Sequence, residues 1–525
     1  MLPLTELTRY DDVMRSFSWD RLWELFDGDR DRMNLAHECL DRHRDQGPAI
    51  SVKFADGHRE HYDYATLTAL SGRFANWLTT LGIGHGDRVA LVLNPGQAFY
   101  VSLFGTLKRG AIAVPLFTLF GPEGLALRLN DCQPRMLLTE QRAEALSTQF
   151  PGVRIVTVND AFWDALQAAS PVYTSDTRAA DLAVLQYTSG TTRALPEAVK
   201  HTHRSIVTLM IAALYGVGLR PGDRYFCPSS PAWGHGLWHG TIAPLALGLH
   251  IASYSGKFEA RRIFEALEEF QITNMAAAPT VFRLLKHAGL RDRYHIRLDK
   301  ISFTGEPMDP DTFAYIEQAF GVTPCSMYGT TEVGVLIVNF PGLQGYTVKP
   351  TALGKAAPGW DVAIVDSAGQ VLPPYQSGDI AVKRKGQWFS VKDRGYCDAE
   401  GYFYHEGRAD DVIISAGWTM SAVEIEQTLL THPLVVEAAV VGVPDTLRGQ
   451  VVKAYIVTST PTADTKAHIQ AFMKAQLSQH EYPRQIEFLT ELPKTPAGKI
   501  NRQALRDRWC PSLTSERDTP PNWRG

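Results

Sequence analysis

The chain has 525 residues, 45% of them hydrophobic and 21% charged, which argues against a disordered protein and allows several domains. The 52 Lys and Arg against 56 Asp and Glu give a formal net charge of -4, so no basic surface for nucleic acid is expected. Apolar stretches fall short of the ~20 residues of a bilayer span, no signal-peptide pattern is visible, and the six cysteines form no CxxC pair. We therefore expect a soluble cytoplasmic protein with free thiols and no zinc site.

Buried strands alternate with helices through the first half of the chain. Arg88–Leu93 predicts a strand, Gln97–Lys108 a helix and Ala111–Leu116 a second strand, which together form a parallel βαβ unit. We therefore predict an α/β fold whose large N-terminal domain contains doubly wound, mostly parallel sheets. Further strands and helices of this domain are predicted at Met136–Thr139, Ile155–Val158, His203–Tyr215, Tyr225–Pro228, Phe258–Phe270 and Asn274–Ala278.

The pattern changes after residue 350. Short strands at Leu353–Asp366, Asp379–Lys383 and Gly401–Tyr404 predict a β-rich subdomain, and the charged, glycine-led segment 407–411 suits a hinge. A small α+β domain is then expected, followed by a Pro-rich tail at 511–525 that we predict to be disordered. The elements of the small domain are predicted at Ser421–Leu430, Val435–Val443, Val451–Thr458, Lys466–Ser478 and Gln485–Leu489.

The segment Tyr187–His203 reads YTSGTTRALPEAVKHTH and lies between a predicted strand and a predicted helix. Its small hydroxyl residues around a glycine can turn N–H and O–H groups toward one anion. The same composition also fits an exposed turn rich in Ser and Thr, and this segment alone leaves both interpretations open. It is not the GxxxxGK(S/T) phosphate loop, because no Gly-Lys pair follows at that spacing.

Five ordered segments carry a family resemblance. Tyr187–His203 resembles the signature loop of the adenylate-forming superfamily, whose usual form is (Y/F)TSGTTGxPKGVxxxH. This superfamily includes the acyl- and aryl-CoA synthetases, the adenylation domains of peptide synthetases and the luciferases. Because five matches in one order are far more specific than any single match, the chain is identified as a member. The other four segments are Thr304–Pro307 (TGEP), Met327–Glu332 (MYGTTE), Asp393 with GYFYHEGRADDVI at 401–413, and Leu492–Arg502 (LPKTPAGKINR).

The resemblance implies a reaction in two steps. A carboxylate attacks the α-phosphorus of ATP to give acyl-AMP and pyrophosphate, and the thiol of coenzyme A then displaces AMP to give a thioester. Lys499 would bridge the carboxylate and phosphate oxygens, Thr331 would bond an α-phosphate oxygen and Glu332 would hold Mg²⁺. Taken singly, each of these would be an ordinary surface residue; only their joint order gives them a function. The implied cofactors are ATP, Mg²⁺ and coenzyme A.

The resemblance also implies where the nucleotide binds. Tyr328 would stack on adenine, Asp393 would bind both ribose hydroxyls and Arg408 would contact ribose or phosphate. Further implied contacts lie in the signature loop, in the turn that borders adenine and beside Tyr328. These positions are Thr188, Ser189, Gly190, Thr191, Thr192, Gly305, Glu306, Pro307, Gly329 and Thr330.

The resemblance further implies an adenylation domain at 1–408 and a lid domain at 409–510. The lid would pivot near Asp410 between the two half-reactions, withdraw Lys499 and present a loop to the pantetheine tunnel. A side chain at Gly417 would obstruct that tunnel. The loop consists of Ser415, Ala416, Gly417 and Trp418.

Three departures from the family pattern affect these expectations. In the signature loop Arg193 replaces the usual Gly and Glu197 the usual Lys, with one residue inserted. Either the loop follows another path or another cation, with Arg193 and Lys200 as candidates, supplies the missing positive charge. The usual TGD triplet reads Val391-Lys392-Asp393, which keeps only the Asp. Thr419 stands where a basic residue is common. The alternative of a catalytically impaired nucleotide-binding relative therefore stays open.

The implied acyl pocket suggests the size of the acid. Acetate-specific relatives carry Trp at the position of Gly329, so we expect a medium-sized aliphatic or aromatic acid, as in the medium-chain and benzoate-type CoA ligases. The expected partners are this acid, ATP and coenzyme A, without nucleic acid or membrane, in a monomer or homodimer. A second alternative is a stand-alone enzyme that loads a carrier protein, and ordinary helix packing is an equal alternative for His235. The pocket residues are Trp233, His235, Gly236, Trp238, Ala277 and Gly329.

Overall fold

Helices and strands alternate through most of the chain in a computed structural model. The α-helices span Tyr10–Ser16, Leu35–Cys39, Tyr64–Thr80, Gln97–Lys108, Pro122–Cys132, Ala143–Gln149, Asp160–Gln167, Ser205–Ile211, Ala243–Ala246, Ala260–Glu269, Pro279–Ala288, Pro310–Phe320, Ala422–Leu430, Ala463–Gln476 and Arg502–Trp509. Two π-helical segments cover Ala212–Gly216 and His235–Ile242. No described helix combines the length and the apolar character that a membrane crossing demands. The structure describes residues 2–120, 122–141, 143–187, 198–330, 333–408, 412–415, 418–445, 449–476, 482–495 and 500–509.

A six-stranded sheet contains the predicted βαβ unit. Its strands are parallel except Ala198–Thr202, which pairs antiparallel with Leu182–Tyr187 and which the sequence did not predict. The predicted signature loop connects these two strands, and its residues 188–197 lie outside the described residues. From edge to edge the strands are Arg154–Thr157, Met136–Thr139, Arg88–Val92, Ile112–Pro115, Leu182–Tyr187 and Ala198–Thr202.

A nine-stranded sheet forms the second layer. Its six central strands are parallel, whereas the strands at both edges pair antiparallel. Because helices cover the central strands, the sequences of these strands are short apolar runs. The predicted doubly wound α/β fold is confirmed. In sheet order the strands are Lys355–Ala356, Gly334–Val338, Cys325–Thr330, Lys300–Phe303, Asn274–Ala277, Arg224–Phe226, His250–Ser255, Pro48–Phe54 and Arg59–Asp63.

A four-stranded antiparallel sheet forms the β-rich subdomain. The sequence missed its longest strand, Gln387–Cys397, because most of that strand is partly or fully exposed and carries no buried run. This strand positions Asp393 beside the following strand, which ends at Arg408. The strands are Val362–Val365, Gly378–Arg384, Gln387–Cys397 and Phe403–Arg408.

The C-terminal part forms its own α+β layer, as predicted. Its two hydrophobic clusters draw only on described residues from Ile413 onward, which supports a separate unit. The boundary after residue 408 stays a prediction, because 409–411 lie outside the described residues, as does the tail. The strands are Val412–Ser415 with Trp418–Ser421, and Glu437–Asp445 with Gly449–Val457 and Gln485–Phe488.

Candidate functional site

Three residues predicted to hold the nucleotide meet at one place. The Tyr328 hydroxyl donates a hydrogen bond of 2.5 Å to Oδ2 of Asp393, although the two residues are 65 positions apart. Asp393 pairs with Arg408 across neighbouring strands. The fold thus brings residues of two separate motifs together at one half-buried carboxylate, which can accept hydrogen bonds from a ribose.

A fourth residue belongs to this group and was not predicted. Nε2 of His405 lies 3.8 Å from Oδ2 of Asp393, and its ring centroid lies 5.9 Å from that of Tyr328. The signal was available, because His405 stands three residues before Arg408 in the hinge motif. An imidazole in this position can hold the Asp393 carboxylate in place by a charge-assisted contact when protonated.

The residue before Asp393 has an unusual backbone conformation. Lys392 has a φ of +65°, in the left-handed region that glycine adopts at no steric cost. This explains physically why the family pattern prefers glycine there. The chain nevertheless keeps the turn, which a hydrogen bond of 3.1 Å from the Lys392 N–H to Oγ of Ser390 supports.

The predicted adenine turn is tied to a neighbouring helix. Gly305 has a φ of +98°, which allows the sharp turn. The Glu306 carboxylate accepts a hydrogen bond of 2.8 Å from the Thr280 N–H and pairs with Nη2 of Arg283 at 2.9 Å. These contacts fix the turn, including the exposed Pro307, to the helix Pro279–Ala288, which begins two residues after Ala277.

Close approach of the paired strand in the nine-stranded sheet requires glycine at position 329. A Cβ at this position would lie 2.0 Å from the carbonyl oxygen of Gly334 and 2.6 Å from Cα of Val335 on the paired strand. No side chain fits without moving that backbone. The absence of Trp here therefore does not by itself measure the width of the acyl pocket. Thr330 pairs with Gly334 at the same end of the strand.

The predicted acyl residues lie on a buried π-helix. His235 and Trp238 are buried in the segment His235–Ile242, and Trp233 is half-buried at its start. Trp238 donates a hydrogen bond of 2.9 Å from Nε1 to Oε1 of Gln186, the residue before Tyr187. This bond connects the acyl segment directly to the strand that leads into the signature loop.

Close packing fixes the path of this helix. A Cβ at Gly236 would lie 2.2 Å from the carbonyl oxygen of Ser230, so no side chain fits there. Ala277 is fully buried at the end of a strand of the nine-stranded sheet. π-helical turns are frequent at functional sites, and this one joins the carboxyl ends of both sheets, where open α/β sheets bind their ligands.

Burial keeps the two histidines of this helix neutral. It lowers the pKa of His235 to about 3 and that of His239 to about 4, because desolvation disfavours the imidazolium. The rings lie 5.9 Å apart. Both stay uncharged at neutral pH and can donate or accept hydrogen bonds.

The loop predicted to carry the catalytic lysine has a well-anchored base. Lys494 and Ile500 form an isolated antiparallel β-bridge, and the Asn501 N–H donates a hydrogen bond of 2.8 Å to the carbonyl oxygen of Pro493. Nη2 of Arg502 pairs with Oε2 of Glu426 at 2.6 Å. In the predicted coenzyme A loop, Ser415 pairs with Trp418 across a two-strand ribbon.

Several predicted site residues lie outside the described residues. They include the predicted Mg²⁺ ligand and the predicted catalytic lysine, so their roles stay predictions. Among the described residues no group of three or more His, Cys, Asp or Glu could hold a metal ion. The residues outside the description are Thr188, Ser189, Gly190, Thr191, Thr192, Thr331, Glu332, Asp410, Ala416, Gly417 and Lys499.

A cavity of about 600 Å³ lies elsewhere, in the N-terminal third of the chain. Its charged lining is mixed in sign, and it includes none of the predicted site residues. Its buried Lys108 is paired with Asp41 at 2.5 Å, so this cation is neutralised within the protein. The charged residues that line the cavity are Asp27, Arg32, Glu38, Asp41, Arg44 and Lys108.

Known proteins resemble this chain over most of its length. The AMP-binding enzyme family matches residues 40–389, and the AMP-binding enzyme C-terminal domain matches residues 424–499. An acetyl-coenzyme A synthetase of Bacillus subtilis (strain 168) is 30% identical over 95% of both chains. The 4-hydroxybutyrate–CoA ligase 1 of Metallosphaera sedula is 32% identical over 86% of this chain and 85% of its own. The crystal structure of an acyl-CoA synthetase from Brucella canis has a TM-score of 0.75 and 31% identity, covering 96% of this chain and 99% of that one.

Proposed function

The chain belongs to the AMP-binding enzyme family, as its ordered motifs predict, and on that premise we propose which acid it activates and which residues act. It is an AMP-forming acid–CoA ligase that uses ATP and coenzyme A. The acid is a medium-sized aliphatic or aromatic carboxylic acid. The largely buried lining that Trp233, Trp238 and Ala277 provide supports this choice, because it offers apolar surface to an acyl chain or a ring.

The hydrogen bond between Tyr328 and Asp393, with Arg408 at the paired position of the neighbouring strand, is the observation that carries the assignment of the nucleotide site. The Asp393 carboxylate accepts hydrogen bonds from both ribose hydroxyls, and the Tyr328 ring packs on the adenine. The existing Tyr328–Asp393 hydrogen bond orients the carboxylate before the nucleotide arrives. This preorganisation reduces the entropy lost on binding.

Charge compensation is the main demand of the first step, because a carboxylate anion must approach a polyanionic triphosphate. Lys499 supplies positive charge between the two reacting groups, and Thr331 bonds an α-phosphate oxygen. Glu332 holds Mg²⁺, which neutralises charge on the phosphates. Electrostatic stabilisation of this kind needs no covalent enzyme intermediate.

The second step requires a change of lid position. The lid at 409–510 pivots at Asp410, withdraws Lys499 and turns the loop from Ser415 to Trp418 toward the thiol of coenzyme A. The small residues Ala416 and Gly417 leave room for the pantetheine arm.

Replacement of Lys499 separates the two steps. Lys499→Ala should lower acid-dependent pyrophosphate release by about 10²–10³-fold, as for loss of one transition-state charge contact, while sparing thioester formation from supplied acyl-AMP and coenzyme A. Lys494→Ala is the matched control, because Lys494 lies in the same loop and is paired with Glu437 at 2.8 Å; it should preserve both steps. Equal loss of both steps in Lys499→Ala would rule out this role.

A further inference from the structure

A cluster of buried polar side chains at the acyl segment contains atoms that have no hydrogen-bond partner. His235 and His239 are 5% and 8% exposed, and Gln186 is 4% exposed. Within the described part of the chain, three of their nitrogen atoms and one of a neighbouring histidine make no hydrogen bond. These atoms are Nε2 of His235, Nδ1 of His239, Nε2 of Gln186 and Nε2 of His201.

The cluster is ordered by contacts on its other side. Nδ1 of His235 lies 3.2 Å from Oγ of Ser229, Oε1 of Gln186 accepts from Trp238, and the His201 ring lies 4.6 Å from the Trp238 ring. His235 and Gln186 are thus each held at one end by a polar contact and have a second, unsatisfied end. Buried polar groups in folded proteins are almost always paired, so such a set indicates a missing partner.

The position of the cluster identifies that partner as part of the acid. Gln186 is the next-to-last residue of the strand that leads into the signature loop, and Sγ of Cys227, 3.7 Å from Nδ1 of His235, belongs to the residue directly after the strand Arg224–Phe226. Ala277 ends the neighbouring strand. The cluster therefore lies where the carboxyl ends of both sheets meet, which is the ligand-binding edge of a doubly wound fold.

We propose that His235, His239 and Gln186 bind an uncharged hydrogen-bonding substituent, such as a hydroxyl group, on the acid. The proposal rests on the proposed function and narrows its substrate class to hydroxy-substituted aliphatic or aromatic acids. A hydroxyl group can donate to one imidazole nitrogen and accept from another or from the Gln186 amide. A plain alkyl or aryl acid would leave these groups unpaired in a closed site.

The same cluster excludes a second carboxylate. Because desolvation lowers the pKa of both His235 and His239 far below neutral pH, neither ring provides positive charge. A buried carboxylate without a cation is strongly disfavoured. Dicarboxylic acids of matching length should therefore be poor substrates.

Matched acid pairs test the proposal. For the wild-type enzyme, kcat/KM for acid-dependent pyrophosphate release is measured with butyrate, 4-hydroxybutyrate and succinate, and with benzoate and its three monohydroxy isomers. For at least one hydroxy acid, kcat/KM should be about 10-fold or more above that of its plain counterpart, because a site with unpaired polar groups discriminates against the analogue that lacks the hydroxyl. In His235→Leu and His239→Leu this ratio should fall toward one.

His203→Gln is the control, because His203 is equally buried but bonds the Leu35 N–H through Nδ1, away from the cluster. It should keep the wild-type ratio, and a ratio of rates does not depend on how much enzyme is folded. Wild-type enzyme that favours the plain acids, or ratios unchanged in both Leu variants, would overturn the proposal while leaving the ligase function intact. No activity with any acid of the panel would overturn the proposed function as well.

Discussion

Lys392 illustrates how one residue departs from a motif without changing the path of the backbone. Its φ of +65° costs a residue with a Cβ roughly 1 kcal/mol relative to glycine, and the turn persists because strands on both sides fix it. The sequence identified the residue as a departure from TGD, but not the conformation that makes glycine preferable. Likewise, motif order predicted Tyr328 and Asp393, whereas the unpaired histidine nitrogens could not be predicted, because hydrogen-bond satisfaction depends on tertiary packing.

Substitution of Lys392 tests this strain. Lys392→Gly should leave the free energy of unfolding unchanged or raise it by up to about 1 kcal/mol, since relief of strain offsets the greater entropy of the unfolded chain. Lys392→Val should lower it by about 1–2 kcal/mol, because β-branched residues disfavour this conformation. Urea unfolding measures both. Lys383→Gly, within the neighbouring strand Gly378–Arg384, is the control and should lower it by about 0.5–1 kcal/mol. An equal loss in Lys392→Gly and Lys383→Gly would contradict the account.

At the scale of elements, most parallel strands of the six-stranded sheet were predicted to within about two residues, because these strands are short apolar runs. The parallel strands Pro48–Phe54, His250–Ser255, Lys300–Phe303 and Cys325–Thr330 of the nine-stranded sheet were not predicted. Gln387–Cys397 and Ala198–Thr202 were missed because both are partly exposed, and the second follows directly on the signature loop. Anchoring contacts were also invisible in the sequence. The base of the Leu492–Arg502 loop depends on Glu426, which is 76 residues away from Arg502.

Removal of Glu426 should loosen this loop. The Glu426 carboxylate binds both Arg502 and the Val440 N–H, at 2.6 and 2.7 Å, and its side chain is 10% exposed. Glu426→Ala should lower the free energy of unfolding of the C-terminal unit by about 2–4 kcal/mol, because it leaves the Arg502 charge without this partner. Pyrophosphate release should fall more than thioester formation from supplied acyl-AMP, since the loop carries Lys499.

Glu437→Ala is the matched control for Glu426→Ala. It removes the partner of Lys494 in the same loop, but this pair is 27% and 33% exposed and should contribute less than about 1 kcal/mol. Denaturant unfolding and the two half-reaction assays measure both variants. Equal effects of the two substitutions would show that Arg502 does not anchor the loop.

At the scale of the molecule, buried neutral histidines couple stability to pH. Burial lowers the pKa of five histidines from 6.5 to about 4, or about 3 for one of them: His201, His203, His235, His239 and His250. In each case the unfolded chain binds a proton first as the pH falls. The stability that these residues contribute is therefore complete above pH 6.5 and is lost between about pH 6.5 and 4, or about pH 3 for His235.

The expected slope is about 1.4 kcal/mol per pH unit for each histidine within that window. Urea unfolding at pH 7.5, 6.5 and 5.5 should show that the free energy of unfolding falls steeply as the pH is lowered. His203→Gln should reduce this slope by about 1.4 kcal/mol per pH unit. His295→Gln is the control for a histidine substitution as such, because the His295 side chain is fully exposed. A His203→Gln slope equal to that of the wild type would contradict the assignment of His203.

One assay tests the central claim most directly. The enzyme is supplied with ATP, Mg²⁺ and coenzyme A, and pyrophosphate and CoA thioester are quantified with acetate, butyrate, hexanoate, octanoate, benzoate and their hydroxy derivatives. The account predicts acid-dependent pyrophosphate release matched by an equal amount of thioester, with a medium-sized or aromatic acid preferred over acetate. The account would be contradicted by ATP turnover that does not depend on the acid, by pyrophosphate release without thioester formation, or by acetate as the best substrate.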